Sequence, residues 1–186
     1  MRHLVYYIAT SFDGFIADAE GGTAAFPTHP ETLAALFERY PETCPTHLRA
    51  ALGITGAARR FDTVLMGART HEPALDAGLT SAYPHLRQYV VTHRDLPADE
   101  SVHPIRSGLH EAVTALKSEP GTDVWLCGGG HLAGQLIDLI DEIQLKINPV
   151  LLGDGVPLVR GARPSGFELT AAETLPGGVL LATYRR

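Results

Sequence analysis

The chain is short of cysteine, of positive charge and of long apolar runs, and each shortage excludes a class of protein. Its 186 residues hold 2 cysteines, Cys44 and Cys127, too few for a disulfide framework and in no C-x-x-C pair. Both are expected to be reduced, with Cys127 buried. Lys and Arg number 15 against 21 Asp and Glu, a formal net charge of -6, and the cations come in short pairs such as Arg59-Arg60 and Arg185-Arg186. Such a surface repels a phosphate backbone, so nucleic acid is not an expected partner. No apolar stretch nears the ~18 residues of a membrane helix, and Met1-Arg2-His3-Leu4 lacks the apolar segment of a signal peptide. A cytoplasmic protein without a membrane partner is expected. The 9 histidines include no H-x-x-x-H or H-E-x-x-H spacing, so no metal site is expected either.

What is present is the composition of an ordinary globular chain, 45% hydrophobic and 19% charged, expected to form a single domain over residues 1–186. Its 19 glycines and 13 prolines are scattered, which implies many turns between short elements. Leu4 to Ala9 is a continuous apolar run of strand length, as in a strand covered on both faces. Asp18 to Pro30 reads as a loop long enough to close over a ligand. Leu33, Leu36, Phe37 and Tyr40 lay an apolar stripe on a helix begun at Pro30-Glu31, and a second short helix follows Thr46.

Strand cores then recur at Val64-Leu65-Met66, Tyr89-Val90-Val91, Val102 to Ile105 and Val124 to Cys127. Between them, Arg69-Thr70-His71-Glu72 opens a helix that Gly78 ends, and Leu109 to about Lys117 forms another, with Ala112, Val113 and Leu116 inward. A helix from His131 to Asp141 is expected to bury Leu132, Leu136, Ile137 and Ile140. From Ile143 the period changes to two, predicting a half-exposed strand with Ile143, Leu145 and Ile147 on one face and Gln144, Lys146 and Asn148 on the other. Phe167 to Leu175 and Val179 to Tyr184, joined at Pro176-Gly177-Gly178, read as a hairpin. The alternation predicts a three-layer α/β fold with a mixed, mostly parallel central sheet and a C-terminal antiparallel hairpin.

Gly128-Gly129-Gly130 lies between a strand and a helix, where bare backbone approaches a ligand closely and N–H groups favour an anion such as a diphosphate. Gly128 to Ala133 also satisfies G-x-G-x-x-A, but a Rossmann domain expects an acidic residue about 20 positions on, where this chain has Ile147-Asn148-Pro149. Tight packing of strand against helix explains the same glycines. Gly67-Ala68-Arg69-Thr70 and Thr92-His93-Arg94 are further turns after strands, with groups that grip phosphate or merely face solvent. Parallel strands bring all three turns to the same sheet edge, where ligands of open α/β folds bind.

The run Leu4-Val5-Tyr6-Tyr7-Ile8-Ala9-Thr10-Ser11-Phe12-Asp13-Gly14-Phe15-Ile16-Ala17 is followed by Val64-Leu65-Met66-Gly67, Cys127-Gly128-Gly129-Gly130, Lys146 to Gly153 and Pro157-Leu158. In order and spacing these motifs resemble the RibD C-terminal domain family, of dihydrofolate reductase-like fold, across nearly the whole chain. The resemblance implies NADPH-dependent reduction of a small nitrogen heterocycle or its ribosyl adduct, of pterin or riboflavin-precursor type, as in a 5-amino-6-(5-phosphoribosylamino)uracil reductase. It also implies a homodimer, for which the C-terminal hairpin offers an exposed edge. Carried over by position, Gly128, Gly129, Gly130, His131 and Leu132 would hold the cofactor diphosphate, and the backbones of Ala9 and Ile16 the nicotinamide carboxamide. Gly67, Arg69 and Thr70 fall in the adenosine-phosphate turn, and Thr92, His93 and Arg94 in the turn of the adenosine ribose phosphate. Both arginines stand one place later than in the family pattern, which leaves NADH open beside NADPH.

A proton donor is harder to find. Glu31 and Glu38 are the acids on the first long helix, where solvent exposure is the ordinary fate of a charge. Asp13 matches the family's Asp-Gly and is the candidate catalytic residue, although an Asp that caps backbone N–H groups in a turn explains it equally. Two functions are therefore expected as alternatives: the reductase, and an NADP(H)-binding module without turnover.

Overall fold

Runs of β-branched and aromatic residues become strands, and the polar, glycine-bearing chain between them becomes turns and short helices. The computed structural model describes residues 1–186. In chain order it forms β1 (Leu4–Ser11), β2 (Phe15–Ala17), α1 (Pro30–Arg39), α2 (Thr46–Arg49), β3 (Phe61–Gly67), α3 (Ala68–Asp76), β4 (Arg87–Val91) and β5 (Val102–Ile105). There follow α4 (Leu109–Ser118), β6 (Asp123–Gly128), α5 (Gly130–Gln135), β7 (Glu142–Asn148), β8 (Val156–Pro157), β9 (Glu168–Thr174) and β10 (Leu180–Arg185). These elements divide between two compact units, Met1–Leu4 with Leu36–Cys127, and Val5–Ala35 with Gly128–Arg186.

In the unit holding Leu36–Cys127 the strand order is β5-β4-β3-β6. β3, β4 and β5 are parallel, with Gly67 opposite Val91 and Val91 opposite Ile105, so the turns that follow these strands leave one edge. The Asp123 N–H donates to the Arg60 carbonyl at 3.0 Å and ties the start of β6 to the start of β3. Phe61, Val64, Leu65, Val90, Val124 and Leu126 are fully buried here, and Tyr83 meets the buried Trp125 edge-on at 5.2 Å. The entry to β3 is fixed by Glu42, a fully buried carboxylate that accepts the backbone N–H groups of Arg59, Arg60 and Phe61 at 3.1, 2.8 and 2.8 Å. Three donors let that charge leave water.

In the unit holding Gly128–Arg186 the order is β1-β7-β10-β9, with β2 and β8 as a separate antiparallel pair. β1 and β7 are parallel from Val5 opposite Glu142 to Ser11 opposite Asn148, while β10 runs antiparallel to both β7 and β9. The expected α/β fold, mostly parallel and closed by an antiparallel hairpin, is thus observed.

Three details differ from expectation. The helix expected to run from His131 to Asp141 ends at Gln135 and continues only as a 3-10 turn over Ile137–Leu139. Leu136 leaves the helical region with φ -102° and ψ 9°, and the Arg186 guanidinium takes the carbonyls of Ile137 and Ile140 at 2.6 and 3.2 Å. The expected alternation on β7 is also absent. Glu142, Ile143, Gln144 and Asn148 are buried while Leu145, Lys146 and Ile147 are half-buried. Polar residues are buried there because they have partners: Gln144 Nε2 and Arg185 Nε donate to the Glu142 carboxylate at 2.7 and 2.8 Å, and Asn148 Nδ2 to the Thr10 carbonyl at 3.2 Å. Finally, Cys127 is half-buried near the end of β6, and Cys44 is the fully enclosed thiol; neither forms a disulfide.

Candidate functional site

The glycine triplet separates into three different residues. Gly128 takes φ 135°, a region that side chains disfavour, and its peptide bond to Gly129 is cis. Gly130 is a packing glycine, since a Cβ there would collide with the carbonyl oxygen of Pro157, and one on Gly134 a turn later would collide with that of Arg160. The Arg160 N–H donates to the Gly130 carbonyl at 3.0 Å, and the Tyr6 hydroxyl to the Leu158 carbonyl at 2.8 Å, so the segment after β8 is held down along α5. Gly129 is different. Its backbone is ordinary and extended, φ -98° and ψ -171°, and a Cβ would meet only Ile16 Cδ1, at 3.8 Å. The space beside the Gly129 backbone is therefore open, with Ile16 at its border. Of the other two residues expected here, His131 is exposed on the first turn of α5, and Leu132 is buried, which leaves only its backbone for a ligand.

Ala9 and Asp13 belong to the same unit. Ala9 is half-buried on β1 opposite Lys146. The turn after β1 is closed by Ser11, whose Oγ accepts the Phe15 N–H at 3.0 Å, and by Gly14 at φ 89°. Asp13 reaches far along the chain, accepting the N–H groups of Leu152 at 3.2 Å and Gly153 at 2.7 Å. Hydrogen bonding from Ser11 foremost, and then from these two amides, holds its carboxyl below the ordinary aspartate range. Such a group is ionised at neutral pH and has no proton to give. In this geometry Asp13 clamps the Asp-Gly turn to the segment after β7. Glu31 and Glu38 are both exposed on α1.

The two remaining turns lie side by side in the other unit, because β3 and β4 are adjacent and parallel. Gly67 ends β3 and caps α3, Thr70 is half-buried, and Arg69 is exposed. Thr92 is buried, and its Oγ1 accepts the Arg94 N–H at 3.0 Å, closing the second turn. His93 and Arg94 are exposed. Two residues that the sequence reading passed over join them. Glu72, one helical turn beyond Arg69, accepts from Arg94 with Oε1 2.6 Å from Nη1. Arg106, directly after β5, donates to the carbonyls of His93 and Arg94 at 3.4 and 3.1 Å and to the Asp95 carboxylate at 2.9 Å. The available signals were the i, i+3 spacing of Arg69 and Glu72, and the place of Arg106 at the end of a third parallel strand.

A mostly parallel sheet closed by an antiparallel hairpin, with a bare glycine turn at a strand's end, defines a protein of the dihydrofolate reductase-like α/β class. The chain belongs to the RibD C-terminal domain family, whose model matches residues 2–181. It is 32% identical over 162 residues to the uncharacterized protein YwjB of Bacillus subtilis (strain 168), covering 84% of this chain and 82% of that one. To the uncharacterized protein YyaP of the same organism it is 25% identical over 197 residues, covering 98% and 94%. Among solved structures, a putative riboflavin biosynthesis protein from Shewanella sp. PV-4 superposes with a TM-score of 0.69 at 25% identity, covering 100% of this chain and 99% of that one. A diaminohydroxyphosphoribosylaminopyrimidine deaminase/5-amino-6-(5-phosphoribosylamino)uracil reductase from Thermotoga maritima gives 0.66 at 15% identity, over 99% of this chain and 56% of that one.

Proposed function

We propose that this protein is an NADPH-dependent reductase of a small nitrogen heterocycle or its ribosyl adduct, of the pterin or riboflavin-precursor type. The observation that carries the reading is the open backbone at Gly129, where a Cβ would meet nothing nearer than Ile16 Cδ1 at 3.8 Å. Family membership and the reductase named among the fold's neighbours support the same reading. Each unit offers groups suited to part of the cofactor: in one, Gly128, Gly129 and His131 offer backbone and an exposed ring for a diphosphate, and in the other, Arg69, Thr70, Thr92, His93 and Arg94 offer cations and hydroxyls for adenosine phosphates. Ala9 and Ile16 are the backbone positions for the carboxamide. When bound, NADPH supplies the hydride; the chain's own contribution is to position the two reactants. Asp13 shapes the turn between Ala9 and Ile16 and remains ionised.

A second reading, an NADP(H)-binding module without turnover, is favoured by one observation. Each acid considered as a proton donor is either held ionised, as Asp13 is, or exposed, as Glu31 and Glu38 are. One experiment separates the two: titrate NADPH while following Trp125 fluorescence, then measure NADPH consumption with a panel of pterins, riboflavin precursors and quinones. Binding with consumption is expected. Binding without consumption of any compound selects the module, and no binding overturns both readings.

A further inference from the structure

Glu72 is a carboxylate placed where an anion is to be bound. It lies on α3 one turn past Arg69, and its partner Arg94 stands on the turn after β4, so the 2.6 Å ion pair bridges the two turns assigned to the adenosine phosphates. The pair is open to solvent, with the Arg94 side chain 75% and the Glu72 side chain 39% exposed. Exposed pairs of this kind are weak, so a phosphate dianion is able to displace the carboxylate, but only by competing with it. The backbone around Arg94 is braced by hydrogen bonds. Arg106 holds the carbonyls of His93 and Arg94, and the Thr92 hydroxyl holds the Arg94 N–H. Arg106 is itself paired with Asp95, while Arg69 and His93 are exposed and form no ion pair. Arg94 is therefore paired with Glu72 in a turn braced by Arg106 and Thr92.

We propose that Glu72 sets the dinucleotide selectivity of this chain by competing with the cofactor's 2′-phosphate for Arg94. The inference rests on the reductase reading's placement of NADPH at these turns. Selectivity follows because NADH has a hydroxyl at the same carbon and gains nothing from Arg94, whereas NADPH must first separate it from Glu72. Neutralising Glu72 strengthens one cofactor and leaves the other alone.

The test is calorimetric titration of NADPH and of NADH into the wild-type protein, Glu72→Gln, Arg94→Gln and the double variant, with thermal unfolding of each as a check on folding. Glu72→Gln is expected to tighten NADPH about fivefold, the scale of an exposed ion pair, with NADH unchanged. In the Arg94→Gln background the same substitution is expected to change neither cofactor. A wild-type protein that binds both cofactors, with their affinity ratio unmoved by Glu72→Gln, overturns the proposal and leaves the reductase reading standing. An equal tightening in the Arg94→Gln background also overturns it, since the effect is then general electrostatics. Failure of the wild-type protein to bind either cofactor overturns the reductase reading and this proposal with it.

Discussion

His71 is a buried histidine without hydrogen-bond partners for its ring. It follows the Arg69-Thr70 turn on α3 and is 1% exposed. Burial pushes its pKa below the ordinary 6.5, with the Asp99 carboxylate partly opposing the shift. The folded chain then binds this proton less readily than the unfolded chain does. Stability is complete above 6.5 and falls as the pH drops through the interval between 6.5 and the lower folded value. His71→Leu is expected to flatten that acid-side decline by up to about 1.4 kcal/mol per pH unit, read as urea midpoints from about pH 7.5 to about pH 5. A decline equal to that of the wild type would exclude His71 as its source. The same scale corrects the reading of Asp13. An aspartate before glycine is legible in sequence as a turn, but its acceptance of amides 139 and 140 residues away is not, and those bonds add to that of Ser11 in holding its carboxyl below the ordinary aspartate range.

At the scale of elements, the packing of α5 against the chain after β8 separates two roles that adjacent glycines share in sequence. Gly130→Ala drives a methyl group into the Pro157 carbonyl and is expected to cost about 1–3 kcal/mol, seen as a lower unfolding midpoint. Gly129→Ala meets only Ile16, so it is expected to cost less stability than Gly130→Ala and to weaken NADPH binding, because the methyl group would stand between the backbone and a diphosphate. If the two variants lose stability and binding in parallel, the division between packing glycine and ligand glycine is wrong. Local pattern serves well for elements whose contacts are local. β5 spans Val102–Ile105 as its apolar ends imply, and α1 begins at Pro30, where the ring's fixed φ suits a first turn. It fails on β7, whose period-two sequence implies one polar face. Glu142 and Gln144 on that face are buried because Arg185 of β10 lies alongside, and no property of residues 142–148 announces that neighbour.

For the molecule as a whole, β9 is the conspicuous surface. All seven of its residues, Glu168 to Thr174, are exposed, and it pairs only with β10, which leaves one edge of backbone donors and acceptors open. Edges of this kind are usually covered or blunted, and β9 carries Leu169 at 54% exposure. We propose a homodimer formed over this strand. Sedimentation is expected to give twice the chain mass of 20.0 kDa, and Leu169→Lys to return it to one chain. A wild-type protein sedimenting at 20.0 kDa would overturn the dimer. No helix is long and apolar enough to cross a membrane.

The sequence by itself determined most elements and their order, because apolar period, glycine, proline and chain length act over a few residues. It also determined family membership, since the motifs from Leu4 through Gly153 keep their order and spacing. Tertiary structure alone decided the chemistry at each candidate position. It divided three consecutive glycines by backbone angle and by what stands opposite, turned Asp13 into a clamp, opened β9 to solvent, and set Glu72 against Arg94, 22 residues away. The reason is physical: burial and partnership depend on which strand lies beside which and in what register. That is a property of pairs of segments, and no single segment contains it.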